Sequence, residues 1–283
     1  MFDRLRTYAS FVRISHSVFA LPFALVGALL ATRVVPWEWE RGVWIVVSMV
    51  TARSAAMGFN RLADMAYDAR NPRTAMRELP QGRMSRREAV GFVAVSAVAF
   101  LYATWRLGWV CFALSPVALA IVFWYSLAKR FTTYAQVFLG LAMAVAPVGG
   151  WLAAGGRGGW EPWLLGLAIG MWVGGFDVLY ACQDVEVDRR EGLHSIPVRF
   201  GIARSLTISR VMHVVAVASL AALGVVAGLG TIHAAGVAGV AGLLLYEQSL
   251  VRADDLSQVK FAFDLNGWVG VLYLAMTAAD VYV

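Results

Sequence analysis

The sequence predicts an all-α, polytopic membrane protein with nine transmembrane helices around a central cavity. Three observations lead there. Of 283 residues, 60% are hydrophobic and only 15% charged, and the mean hydropathy is +0.66; a soluble domain of this size carries far more charge. Nine apolar segments can be read, each near the ~20 residues that cross a bilayer. Lysine and arginine alternate between the connecting loops, with eighteen of 24 on one side, which is the asymmetry of the positive-inside rule.

In order, the segments are 17–35, 43–63, 89–105, 110–128, 134–154, 162–182, 208–228, 231–249 and 264–282. Arg4, Arg6 and Arg13 precede the first. Six arginines, from Arg70 to Arg87, follow the second. Lys129 and Arg130 follow the fourth, Arg189 to Arg210 the sixth, and Arg252 and Lys260 the eighth. The opposite loops hold only Arg33, Arg41, Arg106 and Arg157, while Arg53 and Arg61 lie inside the second segment. This places the N-terminus and the basic loops in the cytoplasm and the C-terminus outside, in the cell's inner (plasma) membrane. The charged start resembles a signal peptide, but eight more apolar segments follow, so a first transmembrane helix is the better reading. No polar linker is long enough to separate a pair of soluble domains, and residues 1–283 are expected to form one integral domain. The net charge of +6 follows from the basic loops and suits a surface of anionic lipid. Without a soluble basic domain, no nucleic-acid partner is expected. Cys111 and Cys182 both fall in apolar segments and read as packing residues, not a disulfide or metal pair.

Two motifs carry chemistry. Asn60, Asp64 and Asp68 end the second segment at i, i+4 spacing, which stacks them on one helical face. Asp177, Tyr180, Asp184 and Asp188 end the sixth segment at the same membrane face. Carboxylates beside lipid are costly unless a cation accompanies them. Mg²⁺ prefers oxygen ligands and combines one or two carboxylates with waters and substrate phosphates. The pattern therefore points to Asp64, Asp68, Asp184 and Asp188 as Mg²⁺ ligands and, through the ion, to a diphosphate. The plainer alternative is that these acids pair with nearby arginines. Arg53 lies about two turns before Asn60 on the same face, and a charge so deep is expected to face a cavity or to partner an acid such as Asp177. Arg73 and Arg77 follow the first motif closely and suit phosphate geometry. Tyr125, Lys129 and Arg130 end the fourth segment; the two cations could bind diphosphate oxygens or a substrate carboxylate, or serve as ordinary anchors. His16, His194, His213 and His233 show no metal spacing. No Walker, dinucleotide, nucleophile-elbow or zinc pattern occurs. Loops 69–88 and 189–207 are punctuated by Pro and Gly and should form turns and short helices; either could act as a lid.

These residues resemble the UbiA superfamily of intramembrane aromatic prenyltransferases, whose nine helices carry an Asn-x-x-x-Asp-x-x-x-Asp motif after the second and an Asp-x-x-Tyr-x-x-x-Asp-x-x-x-Asp motif after the sixth. The stretch from Ser15 to Phe23, Asn71-Pro72-Arg73-Thr74, Tyr125 through Arg130 and Tyr246-Glu247-Gln248-Ser249-Leu250 look like the 4-hydroxybenzoate polyprenyltransferase-like branch. Many relatives carry Asp beside the motif Asn, where this chain has Arg61. The resemblance implies that a polyprenyl diphosphate ionises as Mg²⁺ and basic residues take up charge on the leaving group. The allylic cation then attacks an aromatic acid ortho to a hydroxyl. It also implies catalytic roles for Asp177 as the base and for Asn60 and Tyr180 in positioning the diphosphate or stabilising the cation, with Arg53, Arg73, Arg77, Tyr125, Lys129 and Arg130 binding substrates. Two acceptors fit, 4-hydroxybenzoate for ubiquinone and 1,4-dihydroxy-6-naphthoate for menaquinone; both carry a carboxylate and a phenolic hydroxyl. A secondary transporter is the non-enzyme alternative, although the acids here gather at one face, not at the midplane. A CDP-alcohol phosphotransferase would also use membrane acids and Mg²⁺, but its Asp-Gly pattern is absent.

Overall fold

A computed structural model describes residues 2–12 and 20–283. The beginning of the first apolar segment, with Arg13 and the Ser15–Phe19 resemblance, including His16, lies outside the described residues. Among the described residues the chain is helical: α1 (Phe2–Phe11), α2 (Leu21–Ala31), α3 (Trp39–Asp68), α4 (Arg86–Leu107), α5 (Trp109–Ala128), α6 (Ala135–Ala153), α7 (Glu161–Ala181), α8 (Val185–Arg190), α9 (Ile196–Phe200), α10 (Ile202–Val226), α11 (Thr231–Leu250) and α12 (Val259–Tyr282).

Each apolar segment corresponds to one helix. Seven of these helices are long and apolar enough to cross a membrane, the span of α7 running on through α8 to Arg190. The other two fall short by that measure: α2 has 11 described residues, and α11 dilutes its hydropathy with His233, Glu247 and Gln248. The protein is a multi-pass membrane protein. Boundaries differ where local chemistry extends a helix. α4 starts at Arg86, not 89, because Ser85 and Glu88 form a reciprocal capping box: Glu88 N–H donates to Ser85 Oγ at 3.2 Å and Ser85 N–H to Glu88 Oε2 at 2.8 Å. α4 and α5 are divided by Gly108 alone, at φ +116°, a backbone angle that favours glycine.

α7 is the most buried of the seven spans and packs between α6 and α10, while α2 lies against α6 and α12. Small residues permit these close crossings. A Cβ on Gly27 would fall 2.2 Å from the Pro147 carbonyl oxygen, and one on Gly150 2.0 Å from that of Ala24. Phe23 of α2, Trp172 of α7 and Tyr273 of α12 meet in the core, with ring centroids 5.0 Å apart for Phe23–Trp172 and 6.1 Å for Phe23–Tyr273. Trp39, Trp105, Trp109, Trp160 and Trp163 are exposed at the helix ends remote from the acidic motifs, the placement of an interfacial aromatic belt. Cys111 and Cys182 are free and packed among apolar neighbours, as expected.

Candidate active site

One chamber of about 410 Å³ gathers most of the residues singled out from the sequence. Asn60, Asp64 and Asp68 reach it from the last turns of α3, with Arg53 two turns deeper. Tyr125 and Lys129 come from the end of α5. Asp177 and Tyr180 come from α7, Asp184 and Asp188 from the segment after it, and Arg73 and Arg77 from loop 69–85. Arg130 is placed differently: it does not line the chamber. Its guanidinium donates to the Ala63 carbonyl and lies over the Tyr67 ring, 5.4 Å from the centroid, so it secures α5 to α3.

The first ladder is continuous helix, and Asn60 Nδ2 donates to Asp64 Oδ2 at 3.4 Å. The second is not. α7 ends at Ala181, a 3-10 turn spans Cys182–Asp184, and α8 carries Asp188. The spacing alone suggests uninterrupted helix; the tighter turn swings Asp184 to where the first loop reaches it. Of the two expected lid loops, 189–207 contains short helix α9, whereas 69–85 is turns only.

Three of the five acids are paired with cations. Lys129 Nζ lies 2.8 Å from Asp64 Oδ2. Arg77 Nη1 donates to both oxygens of Asp68 at 2.8 Å. Arg73 forks onto Asp184, through Nε at 3.1 Å and Nη2 at 2.6 Å. Burial opposes the charge of Arg73, but the bond to Asp184 and that carboxylate's charge outweigh it and push its pKa up, so it is a cation at any working pH. Arg73 Nη1 also donates to Tyr180 Oη at 2.9 Å. Free oxygens remain: Asp64 Oδ1, beside its paired Oδ2, is buried without a partner, and the side chains of Asp177 and Asp188 make no hydrogen bond or ion pair among the described residues. Arg53 Nε is likewise buried and unpartnered.

Several residues in and around the chamber are not evident from the sequence. Asn71 Nδ2 donates to Asp184 Oδ1 at 3.2 Å, and Arg70 pairs with Glu191 at 2.6 Å, so loop 69–85 is tied across to the second motif. Tyr67 is approached by three cations, Arg70, Lys129 and Arg130, at 5.4, 5.9 and 5.4 Å from its ring. Only Asn71 and Arg70 carry a signal, through their nearness to Arg73. The second loop is anchored by His194 N–H on the Lys129 carbonyl at 2.7 Å and by Ile196 N–H on Gln136 Oε1 at 3.2 Å.

The donor set fits a hard divalent cation. Free carboxylate oxygens face the chamber, and no cysteine lines it. Among the described residues no three His, Cys, Asp or Glu side chains converge to hold an ion unaided; Mg²⁺ needs no such cage, since it completes its shell with waters and phosphate oxygens. Beside the chamber runs an apolar groove of about 530 Å³ that shares Met49, Ala52, Val122, Val145 and Ala146 with it. Its walls include Leu114 and Val117 of α5, Val137 and Leu141 of α6 and Leu167 of α7, all exposed on the outer surface of the bundle.

Known proteins share this fold. A family model described as the UbiA prenyltransferase family matches residues 20–270. The 4-hydroxybenzoate octaprenyltransferase of Alkalilimnicola ehrlichii is 31% identical over 284 residues, covering 99% of this chain and 96% of the relative. That of Vibrio parahaemolyticus is 29% identical over 273 residues, covering 95% of each. Among solved structures, the apo UbiA homolog from Aeropyrum pernix K1 shares 34% identity and superposes with a TM-score of 0.87 over 94% of this chain and 98% of that one. A UbiA homolog from Archaeoglobus fulgidus bound to GPP and Mg²⁺ has the same fold, with a TM-score of 0.73 over 98% and 100% of the two chains at 22% identity. On the strength of the family model, the full-length relatives and the shared architecture, the chain belongs to the UbiA prenyltransferase family.

Proposed function

We propose that this protein transfers a polyprenyl group from a polyprenyl diphosphate to the ring of an aromatic acid such as 4-hydroxybenzoate, in quinone biosynthesis. In this reading the nine helices form one integral domain in the inner membrane, with the chamber on the cytoplasmic side. The observation that carries it is the joining of one polar chamber, lined by both acidic motifs, to an apolar groove along the bundle. A substrate with a charged head and a long isoprenoid tail matches both halves. The curated relatives are named as 4-hydroxybenzoate octaprenyltransferases, and the donor set is suited to Mg²⁺.

Charge supports a metal-assisted diphosphate. The chamber is lined by six acids (Asp64, Asp68, Asp177, Asp184, Asp188 and Glu191) and five cations (Arg53, Arg61, Arg73, Arg77 and Lys129), a formal balance of −1. A polyanionic diphosphate entering such a site must bring cations with it. Asp64, Asp68, Asp184 and Asp188 would hold Mg²⁺, which supplies Lewis-acid stabilisation of charge on the leaving diphosphate. Arg73, Arg77 and Lys129 lie close enough to those acids to turn from carboxylate to phosphate oxygens. As the C–O bond to diphosphate breaks, positive charge develops on the allylic carbon, and the rings of Tyr180, Phe176 and Phe263 line the chamber to meet it. The new C–C bond forms ortho to the acceptor hydroxyl, and the displaced ring proton passes to Asp177. Asn60 orients the first ladder. Arg53 would pair with the acceptor carboxylate beside Tyr125.

The test is product mass. Purified protein with Mg²⁺, 4-hydroxybenzoate and a polyprenyl diphosphate is expected to release diphosphate and yield the acid heavier by one polyprenyl group less one hydrogen. Chelation should stop turnover and added Mg²⁺ restore it. No product with any aromatic acid, 1,4-dihydroxy-6-naphthoate included, would overturn the reading. Arg53→Met is expected to raise KM for the aromatic acid by about 10- to 100-fold, the worth of one charge-assisted hydrogen bond, while KM for the diphosphate stays nearly constant. Equal loss of both affinities would remove Arg53 from the acceptor site.

A further inference from the structure

The structure contains a second set of buried polar side chains that the reaction above does not use. Glu247, in α11, is 1% exposed, His213 in α10 is 3% and Asn266 in α12 is 1%; none of them lines the chamber. An ionisable side chain enclosed in a membrane bundle points to a function. Glu247 Oε1 accepts from Asn266 Nδ2 at 2.9 Å, and Asn266 Oδ1 accepts from Trp172 Nε1 at 2.7 Å. On the other side, Glu247 Oε2 lies 3.9 Å from His213 Nδ1, which is 3.0 Å from Gln248 Nε2. Gln248 Nε2 donates to Ser209 Oγ at 2.8 Å, and Ser209 Oγ donates to the Gly175 carbonyl at 2.7 Å.

The circuit leaves α7 at Trp172 and Gly175 in two hydrogen-bonded arms, one through Asn266 of α12 to Glu247 and one through Ser209 of α10 to Gln248, which meet as adjacent residues of α11; Glu247 Oε2 itself accepts no hydrogen bond. The next residues on α7 are Phe176 and Asp177. Trp172 packs edge-on against Phe176 with centroids 5.3 Å apart. Phe176 meets Phe263 at 5.5 Å, and Phe263 meets Tyr180 at 4.8 Å. Thus the buried circuit connects through one aromatic relay to three residues that line the chamber, Phe176, Tyr180 and Phe263.

Such a restraint matters where α7 crosses its neighbours at glycine. A Cβ on Gly140 of α6 would fall 2.2 Å from the Gly170 carbonyl oxygen. One on Gly174 or Gly175 would fall 2.5 Å from Met212 or 2.4 Å from His213 of α10. Small residues let helices approach, but they present few ridges to lock a rotation or a height. Hydrogen bonds are directional and can do so.

We propose that Glu247, Asn266, Gln248 and Ser209 are positioning residues that fix α7 so that Asp177 and Tyr180 are aimed into the chamber. The proposal rests on the assignment of those two residues to prenyl transfer. A displacement of about 1 Å at a reacting group costs on the order of 10²-fold in rate, so the circuit is expected to govern turnover more than binding.

The experiment compares kcat, both KM values and thermal unfolding for Ser209→Ala, Glu247→Leu, Glu247→Gln and Asp177→Asn in purified protein. Glu247→Leu and Ser209→Ala are expected to lower kcat by about 10- to 100-fold while KM for the prenyl diphosphate changes by no more than ~2-fold. Glu247→Gln keeps an oxygen for Asn266 and is expected to regain most of the rate. Ser209→Ala removes one hydroxyl and little volume, so it decides the matter even where Glu247→Leu fails to fold. Unchanged kcat in Ser209→Ala would overturn the proposal, as would loss of kcat that merely tracks loss of folded protein and is not rescued in Glu247→Gln. Full activity in Asp177→Asn would overturn the assignment of the site as well. An inactive Asp177→Asn beside fully active circuit variants would overturn the positioning role alone.

Discussion

Asp184→Ala is expected to lower prenyl transfer by at least 10²–10³-fold, the usual order for removing one electrostatic stabiliser of a leaving group, with folded protein recovered in normal yield. Asp184 has two relationships that the variant would sever. It is one of the proposed Mg²⁺ ligands, and it is the acid on which loop 69–85 closes, through Arg73 and Asn71. Arg73→Gln separates them, because it releases the loop while leaving the carboxylate. If Asp184 acts through metal, Asp184→Ala weakens Mn²⁺ binding in the presence of diphosphate, and Arg73→Gln does not weaken Mn²⁺ binding alone. The Arg73 side chain is 34% exposed, so once Asp184 is removed its guanidinium can turn to water and is not left as a buried unpaired charge. Asp64 is a second proposed Mg²⁺ ligand open to the same test of activity, with its Oδ1 buried and unpartnered. Full activity in Asp64→Ala or Asp184→Ala would contradict the metal assignment.

The second large effect concerns folding. In Gly150→Leu the new Cβ would occupy space 2.0 Å from the backbone oxygen of Ala24, and a backbone atom cannot rotate away. α2 and α6 would have to separate along a crossing that Gly27 and Pro147 also hold close. Overpacking costs typically ~1–3 kcal/mol and more where backbone must move, a large fraction of a total stability of about 5–15 kcal/mol. Loss of folded protein after detergent extraction is the expected result. Gly149→Leu is the control: its Cβ meets nothing within 4 Å, and it should fold normally. Equal recovery of the two variants would show that the crossing is not tight.

The sequence makes some of this legible for clear reasons. Apolar runs and the side preference of arginine mark the spans, because lipid and topology act on local composition. Asn60, Asp64 and Asp68 can be joined because i, i+4 spacing is a helical property. The same spacing reads Asp184 and Asp188 as one helix with Asp177, and the 3-10 turn at Cys182–Asp184 has no comparable signal. Tyr67 with its three cations and the Arg70–Glu191 pair unite residues that no periodicity connects. Adjacency groups Arg130 with Lys129, yet neighbours on a helix point some 100° apart, and only Lys129 faces the acids. The Glu247 region stands out as a family-like stretch, but its contacts on α7, α10 and α12 come from tertiary packing alone.

The exposed groove between α5 and α6 has a consequence for how rates should be expressed. A donor with an isoprenoid tail would reach it sideways, by two-dimensional diffusion within a leaflet. The quantity that saturates the enzyme is then the donor's mole fraction among lipids, not its molarity in the tube. Diluting substrate with inert phospholipid at constant bulk amount should slow turnover, whereas diluting the whole suspension with buffer that holds the aromatic acid and Mg²⁺ at their original concentrations should leave the rate per enzyme unchanged.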